Sequence, residues 1–163
     1  MKKILMITTG GTIASEKTPH GLIPSLSSEQ LLSYLPDMDK NYTLDTKAVC
    51  NLDSTDMTPA EWLKIAAAVE ENYDDYDGFV VLHGTDTMAY TASALSYMLE
   101  NLTKPVIFTG SQLPIGQLRT DGKENLITSI EIAAAKDENC RAKVPEVGIY
   151  FNSHLLRGNR TTK

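Results

Sequence analysis

Gly78-Phe79-Val80-Val81-Leu82-His83-Gly84-Thr85-Asp86-Thr87 is the stretch on which the reading of the fold turns. Its apolar, valine-rich run has the length of a strand and stops at Leu82. Glycine, threonine and a carboxylate then take over, just before a helix-like segment. In open α/β sheets, ligands bind outside the carboxyl ends of parallel strands, so polar residues there face a crevice rather than the core. Thr85 and Asp86 are therefore the first candidate site residues. Thr and Asp are equally ordinary helix N-caps, and this stretch alone leaves cap and site open.

Composition narrows the classes around it. The 163 residues suffice for a single domain with a good core. Hydrophobic content of 42% and charged content of 22% are those of an ordinary soluble globular protein. A net charge of −6 repels phosphate backbones, so nucleic acid is not an expected partner. Met1-Lys2-Lys3-Ile4-Leu5-Met6-Ile7-Thr8 has the basic start of a signal peptide but too short an apolar run, and reads as a first strand. No segment approaches the roughly 20 apolar residues of a membrane helix. Cys50 and Cys140 lack metal-ligand spacing, which predicts reduced thiols in a cytoplasmic protein. His20, His83 and His154 are scattered, and no zinc site is expected.

Working outward towards the N-terminus, residues 4–8 run as a continuous apolar strand into Thr9-Gly10-Gly11-Thr12-Ile13-Ala14, a second polar strand end. Two glycines allow a sharp turn and close backbone approach, and the threonines set hydroxyls beside it. A phosphate cradle would need G-x-G-x-x-G spacing or a P-loop Lys, and both are missing. Residues 15–25 hold Pro19, Gly21 and Pro24 without periodicity, and predict a loop of the kind that often serves as a lid. Ser27 and Gln30 have capping-box spacing ahead of Leu31, Leu32 and Leu35, a short helix. A weaker strand is expected from Asn41 to Cys50, alternating in part through Leu44, Thr46 and Ala48. It ends in Asn51-Leu52-Asp53-Ser54-Thr55-Asp56-Met57, a third polar cluster, of a composition that is usually a plain loop.

Thr58-Pro59-Ala60-Glu61 reads as a helix start, with a Thr cap, Pro at the first position and Glu at the capping-box position. Trp62, Ile65, Ala66, Val69 and Tyr73 then share one face and predict core. Glu70, Glu71, Asp74, Asp75 and Asp77 predict a solvated helix end. Beyond the central strand, residues 90–102 predict a helix that buries Ala92, Leu95, Met98, Leu99 and Leu102. Pro105-Val106-Ile107-Phe108-Thr109 predicts another buried strand, and Gly110-Ser111-Gln112 a fourth polar strand end. Asp121 predicts the cap of a helix through Ile127, Ile130, Ala133 and Ala134. Residues 146–151 predict a last strand. The basic stretch 152–163, with Arg157, Arg160 and Lys163, predicts a solvated terminus.

Strands alternating with helices imply β-α-β units, hence an α/β fold with a parallel sheet. All strand carboxyl ends then lie on one edge, and the four polar clusters converge there whatever the strand order. That convergence raises them above ordinary loops.

Two of these stretches, Thr9-Gly10-Gly11-Thr12-Ile13-Ala14 and His83-Gly84-Thr85-Asp86-Thr87-Met88, resemble the signature motifs of the bacterial-type L-asparaginase and glutaminase-asparaginase family. Asp53-Ser54-Thr55-Asp56-Met57, Thr109-Gly110-Ser111-Gln112 with Arg119-Thr120-Asp121-Gly122, and Arg157-Gly158-Asn159-Arg160-Thr161-Thr162-Lys163 resemble further segments, in that family's order and spacing. The resemblance covers essentially the whole chain and is strongest to the cytoplasmic type I branch. It implies a Rossmann/flavodoxin-like, three-layer N-terminal catalytic domain over residues 1–163, acting on L-asparagine without metal or cofactor. It also implies a homodimer or homotetramer, with no nucleic acid or membrane partner. Family members continue past the position of Lys163, complete this domain and add a smaller α/β domain, so by resemblance 1–163 is truncated. In the family a neighbouring subunit's second domain closes the site.

By the same resemblance Thr12 is the nucleophile that attacks the side-chain amide carbon, and Thr85, Asp86 and Lys163 form the second catalytic group. Asp86 also holds the α-ammonium group, Ser54 and Thr55 the α-carboxylate, and the Ser111 carbonyl contacts the leaving amide. Ammonia leaves first, and water then releases aspartate. A Thr hydroxyl is a weak nucleophile until a base takes its proton, and a Lys amine serves only when neutral. Burial favours the neutral amine and a neighbouring carboxylate opposes it. Many relatives carry Tyr in a Gly-Tyr-Ile-Pro segment where this chain reads Gly21-Leu22-Ile23-Pro24, and Leu22 cannot donate a hydrogen bond. Either another hydroxyl replaces that Tyr or activation is weaker here. A glutaminase preference, a non-catalytic amino-acid-binding domain and a nucleotide-binding domain on the same strand ends stay open. The related subunit of a tRNA-dependent amidotransferase is set aside because an added N-terminal segment is expected of it.

Overall fold

A computed structural model describes residues 1–36 and 42–163. In chain order its elements are β1 (Lys2–Gly10), β2 (Ser15–Thr18), β3 (Gly21–Pro24), α1 (Ser28–Ser33), β4 (Tyr42–Leu52), α2 (Pro59–Glu71), β5 (Gly78–Leu82), α3 (Met88–Met98), β6 (Val106–Thr109), α4 (Gly122–Ala134), β7 (Val147–Phe151) and β8 (His154–Arg157). Single 3₁₀ turns stand at Thr12–Ala14, Ser54–Asp56 and Gly158–Arg160. The main sheet runs β4-β1-β5-β6-β7-β8, parallel throughout except for β8. Numbered along the chain, its parallel part reads 2-1-3-4-5, the flavodoxin-like doubly wound order. The order reverses between β1 and β5, where such a fold opens a crevice for ligands.

Both faces of the sheet are covered, which is why its central strands read as unbroken apolar runs. Ile4, Met6, Val80, Leu82 and Ile107 pack with Leu31 of α1 and with Leu126, Ile130 and Ala133 of α4. Their chain neighbours Leu5, Ile7, Phe79, Val81 and Phe108 point the other way, onto Ile65 and Val69 of α2 and Ala92 and Leu95 of α3. The result is the expected three-layer α/β arrangement. Each large apolar side chain buried here contributes roughly 1.5–3 kcal/mol. Both capping boxes form, Ser27 with Gln30 and Thr58 with Glu61. Trp62 is core-facing and ties two helices together, its indole N–H donating to the Thr91 hydroxyl at 3.0 Å.

Several expectations are corrected. Residues 15–25 are not a loop: β2 and β3 form an antiparallel hairpin with Thr18 opposite Gly21. Gly21 turns there with φ 111, and the Thr18 hydroxyl donates to its carbonyl. The strand expected from Asn41 begins at Tyr42 among the described residues and extends to Leu52; Asn41 lies outside them. α3 starts at Met88 and ends at Met98, which is 38% exposed rather than buried. Ile127 is only half-buried, and Leu126 takes the core position. Asp77 is not simply solvated, because it accepts from the Lys3 backbone N–H at 2.8 Å and from Lys136 Nζ at 2.6 Å. The stretch 152–163 is no loose tail. Asn152 and Ser153 take positive φ of 47 and 61, the two-residue turn that matches strand twist, and send β8 back along β7.

Candidate active site

The carboxyl ends of β4, β1, β5 and β6 stand side by side in that order, so the four polar clusters meet on one edge. At the switch point the buried Thr9 hydroxyl donates to the Leu82 carbonyl at 2.7 Å, locking β1 to the end of β5. Gly11 then takes φ 80, and a methyl group added to it would lie 2.7 Å from the Gly84 nitrogen. Only a residue without a Cβ lets these two backbones touch. The turn carrying Thr12 is thereby pressed onto the loop carrying Thr85 and Asp86. The Gly11 N–H donates to the Leu52 carbonyl at 3.0 Å, which brings in the end of β4. Ser54, 2% exposed, packs directly on Gly84, and the Thr87 hydroxyl donates to the Ser54 carbonyl at 2.8 Å. From the end of β6, Gln112 Nε2 donates to the Thr85 hydroxyl at 3.4 Å.

Lys163 arrives from the far end of the chain. Past β8, Gly158 nests against the Val147 and Ala92 carbonyls, and the following residues run back along α3. The Lys163 ammonium then donates to Asp86 Oδ1. Their side chains are 54% and 51% exposed, so this pair is not withdrawn from water. A cavity of about 230 Å³ opens between Thr85, Met88, Gln112, Phe151, Thr162 and Lys163. Thr12, Ser54, Thr55, Asp86 and Ser111 do not line it.

The remaining candidates have distinct surroundings. Thr12 is half-buried, and among the described residues no hydrogen bond reaches its hydroxyl. Thr55 is exposed and turned onto Asp53, to which its backbone N–H and its hydroxyl both donate at 2.9 Å. Those two bonds hold the Asp53 carboxyl below the ordinary carboxylate range. Leu22 sits on the exposed hairpin opposite Lys17 and is 47% exposed. His83 is fully buried beneath the site, its ring tilted against Phe108 at 6.0 Å. Burial pushes its pKa below the usual 6.5, so the ring is neutral. Nδ1 lies 2.7 Å from the Gly84 carbonyl and, since that oxygen can only accept, carries the proton; Nε2 is left without a partner.

Asp121 stands at the N-cap position of α4 but makes no capping bond. Its carboxylate instead accepts from the backbone N–H groups of Gln112 and Leu113. The sequence predicts Asp121 as a cap and marks its partner Asn125 only by their i, i+4 spacing behind the fourth strand end. No group of three or more His, Cys, Asp or Glu among the described residues is arranged to hold a metal ion. Nor is any helix among them long and apolar enough to cross a membrane.

Residues 3–163 match the family model described as Asparaginase, N-terminal. The chain belongs to the asparaginase family. This asparaginase-family chain is 48% identical over 167 residues to L-asparaginase 1 of Escherichia coli strain K12, an alignment covering 99% of this chain and 47% of that protein. Its structure is similar to L-asparaginase I from Vibrio cholerae, with a TM-score of 0.85 and 45% identity over 99% of this chain and 48% of that one. The thermostable L-asparaginase from Thermococcus kodakarensis gives a TM-score of 0.83 at 40% identity, over 96% and 46% of the two chains. The chain thus spans about half the length of each of these three relatives. The resemblance carried by the Thr9 and His83 motifs is borne out at the level of the family.

Proposed function

We propose that this chain carries the nucleophile and the amide-binding groups of an L-asparagine amidohydrolase that releases L-aspartate and ammonia. The observation that supports this reading is the contact of Gly11 with Gly84, which brings a free Thr12 hydroxyl beside the Thr85 loop at the switch point. Thr12 Oγ1 attacks the side-chain amide carbon while the group formed by Thr85, Lys163 and Asp86 takes its proton. The proton passes to the departing nitrogen, ammonia leaves, and an ester joins the aspartyl group to Thr12. Water then attacks that ester and restores the hydroxyl. Ser54 and Thr55 bind the α-carboxylate, the second oxygen of Asp86 the α-ammonium, and the Ser111 carbonyl the amide N–H. The reaction as written uses no metal and no cofactor.

Residues 1–163 act in this reading as the N-terminal catalytic domain of a cytoplasmic homo-oligomer. The half-exposed Asp86–Lys163 pair fits a site that the family's smaller second domain closes from a neighbouring subunit. That exposure also favours one other reading, in which this stretch alone binds aspartate without turnover. Acid quenching during turnover of asparagine, followed by peptide mass mapping, tests the proposal. An aspartyl mass on the Thr12 peptide, absent from Thr12→Ala, is expected. Turnover undiminished in Thr12→Ala, or an adduct on another residue, overturns it.

A further inference from the structure

We propose that Asp121, held by Asn125, is a positioning residue that aims the Ser111 carbonyl at the leaving amide nitrogen; this rests on the asparagine amidohydrolase reading. The loop after β6 is gripped almost entirely by side chains of the stretch that starts α4. Asp121 accepts from the Gln112 N–H at 2.9 Å and from the Leu113 N–H at 3.0 Å. Asn125, 2% exposed, donates from Nδ2 to the Gly110 carbonyl at 2.9 Å and reaches Asp121 Oδ2 at 3.4 Å. The Leu113 carbonyl accepts from the Ser111 hydroxyl at 2.5 Å and from the Thr120 hydroxyl at 3.0 Å. Thr120 also accepts from the Gly122 N–H at 2.9 Å, serving the helix start in place of Asp121.

The Gln112 N–H and the Ser111 carbonyl belong to one planar trans peptide, in which they point in opposite directions. A carboxylate fixed on that N–H therefore turns the carbonyl away from α4. Among the described residues no donor reaches this carbonyl, and Ser111 itself is only 1% exposed. Without the clamp the plane can rotate about its two flanking bonds, Ser111 Cα–C and Gln112 N–Cα. The same grip holds Gln112, whose amide meets the Thr85 hydroxyl. A single carboxylate thus sets both the acceptor for the leaving nitrogen and a neighbour of the second catalytic group.

The test compares two substrates in the full-length protein. L-Asparagine offers amide N–H groups to the Ser111 carbonyl, whereas the β-methyl ester of L-aspartate offers none at that atom. Asp121→Ala should lower kcat/KM for the amide about fivefold to tenfold more than for the ester, the share of one lost hydrogen bond. Asp121→Asn, which keeps one accepting oxygen, should fall between it and the parent, and covers the case in which the alanine variant does not fold. Hydrogen exchange at the Gln112 and Leu113 amides should quicken in the same order. Equal losses on amide and ester, or no loss on either, in a parent that hydrolyses both would overturn the inference alone. A parent that hydrolyses neither would sink the amidohydrolase reading instead.

Discussion

The two sides of the proposed site are built by different means. The side carrying Thr12, Ser54 and Ser111 is held by backbone pressed on backbone, by buried hydroxyls bonded to strand ends and by the Asp121 clamp. On the other side Lys163 is joined to Asp86, whose own loop rests on Gly11, by one half-exposed ion pair. The first can shift only if the sheet edge shifts with it. The second can be adjusted by whatever covers it. If the proposed roles hold, the fold fixes the nucleophile and leaves the base to be completed on closure.

Substitutions on the two sides should therefore differ most in unfolding free energy, and four tests rank that difference. Gly11→Ala sets a methyl against the Gly84 backbone at a positive φ, and neither chain can yield as a flexible side chain would. Strain and overpacking together should cost about 2–4 kcal/mol in urea unfolding. Thr9→Val keeps the shape but leaves the buried Leu82 carbonyl without its hydroxyl donor, for a loss of about 1–2 kcal/mol by the same measurement.

The third test is a pH series. His83 stays neutral in the fold because burial lowers its pKa, while the unfolded chain takes up a proton below its usual 6.5. The unfolded state then binds more protons, so stability should fall as pH drops below about 6.5, by at most about 1.4 kcal/mol per pH unit. Replacing His83 with Gln should flatten that part of the profile. Lys163→Met comes last: losing an ion pair exposed to this degree should change stability by no more than about 0.5 kcal/mol. A loss as large as that of Thr9→Val would erase the contrast between the two sides.

Legibility in the sequence divides along a similar line. Buried strands announce themselves, since residues such as Phe79, Val80 and Val81 must be apolar on both faces of a covered sheet. Caps with two reciprocal partners, Ser27 with Gln30 and Thr58 with Glu61, were equally readable because the signal is local. The hairpin of β2 and β3 was hidden because its strands are largely exposed, with Leu22 and Ile23 both in solvent, so no alternation records an inner face. β8 was hidden in the same way, and only Asn152-Ser153 marked its turn. Asp121 misled for another reason. A carboxylate before a helix looks the same whether it caps that helix or grips a loop, and only the folded arrangement separates the two. Convergence of Thr12 with Thr85 was legible because parallel topology alone brings strand ends together. The Asp86–Lys163 contact spans 77 residues and could enter the reading only through family resemblance.

The most direct test of the central claim is ammonia release from L-asparagine by the full-length protein, beside Thr12→Ala, Thr85→Ala and the double variant. The Thr12 hydroxyl makes no hydrogen bond among the described residues and the Thr85 hydroxyl only the long one from Gln112, so unfolding midpoints should stay close to the parent's. Each single variant should lose at least about a hundredfold in turnover, and the double variant little more, as expected of groups that act as one unit. Parental turnover in either single variant would contradict the account.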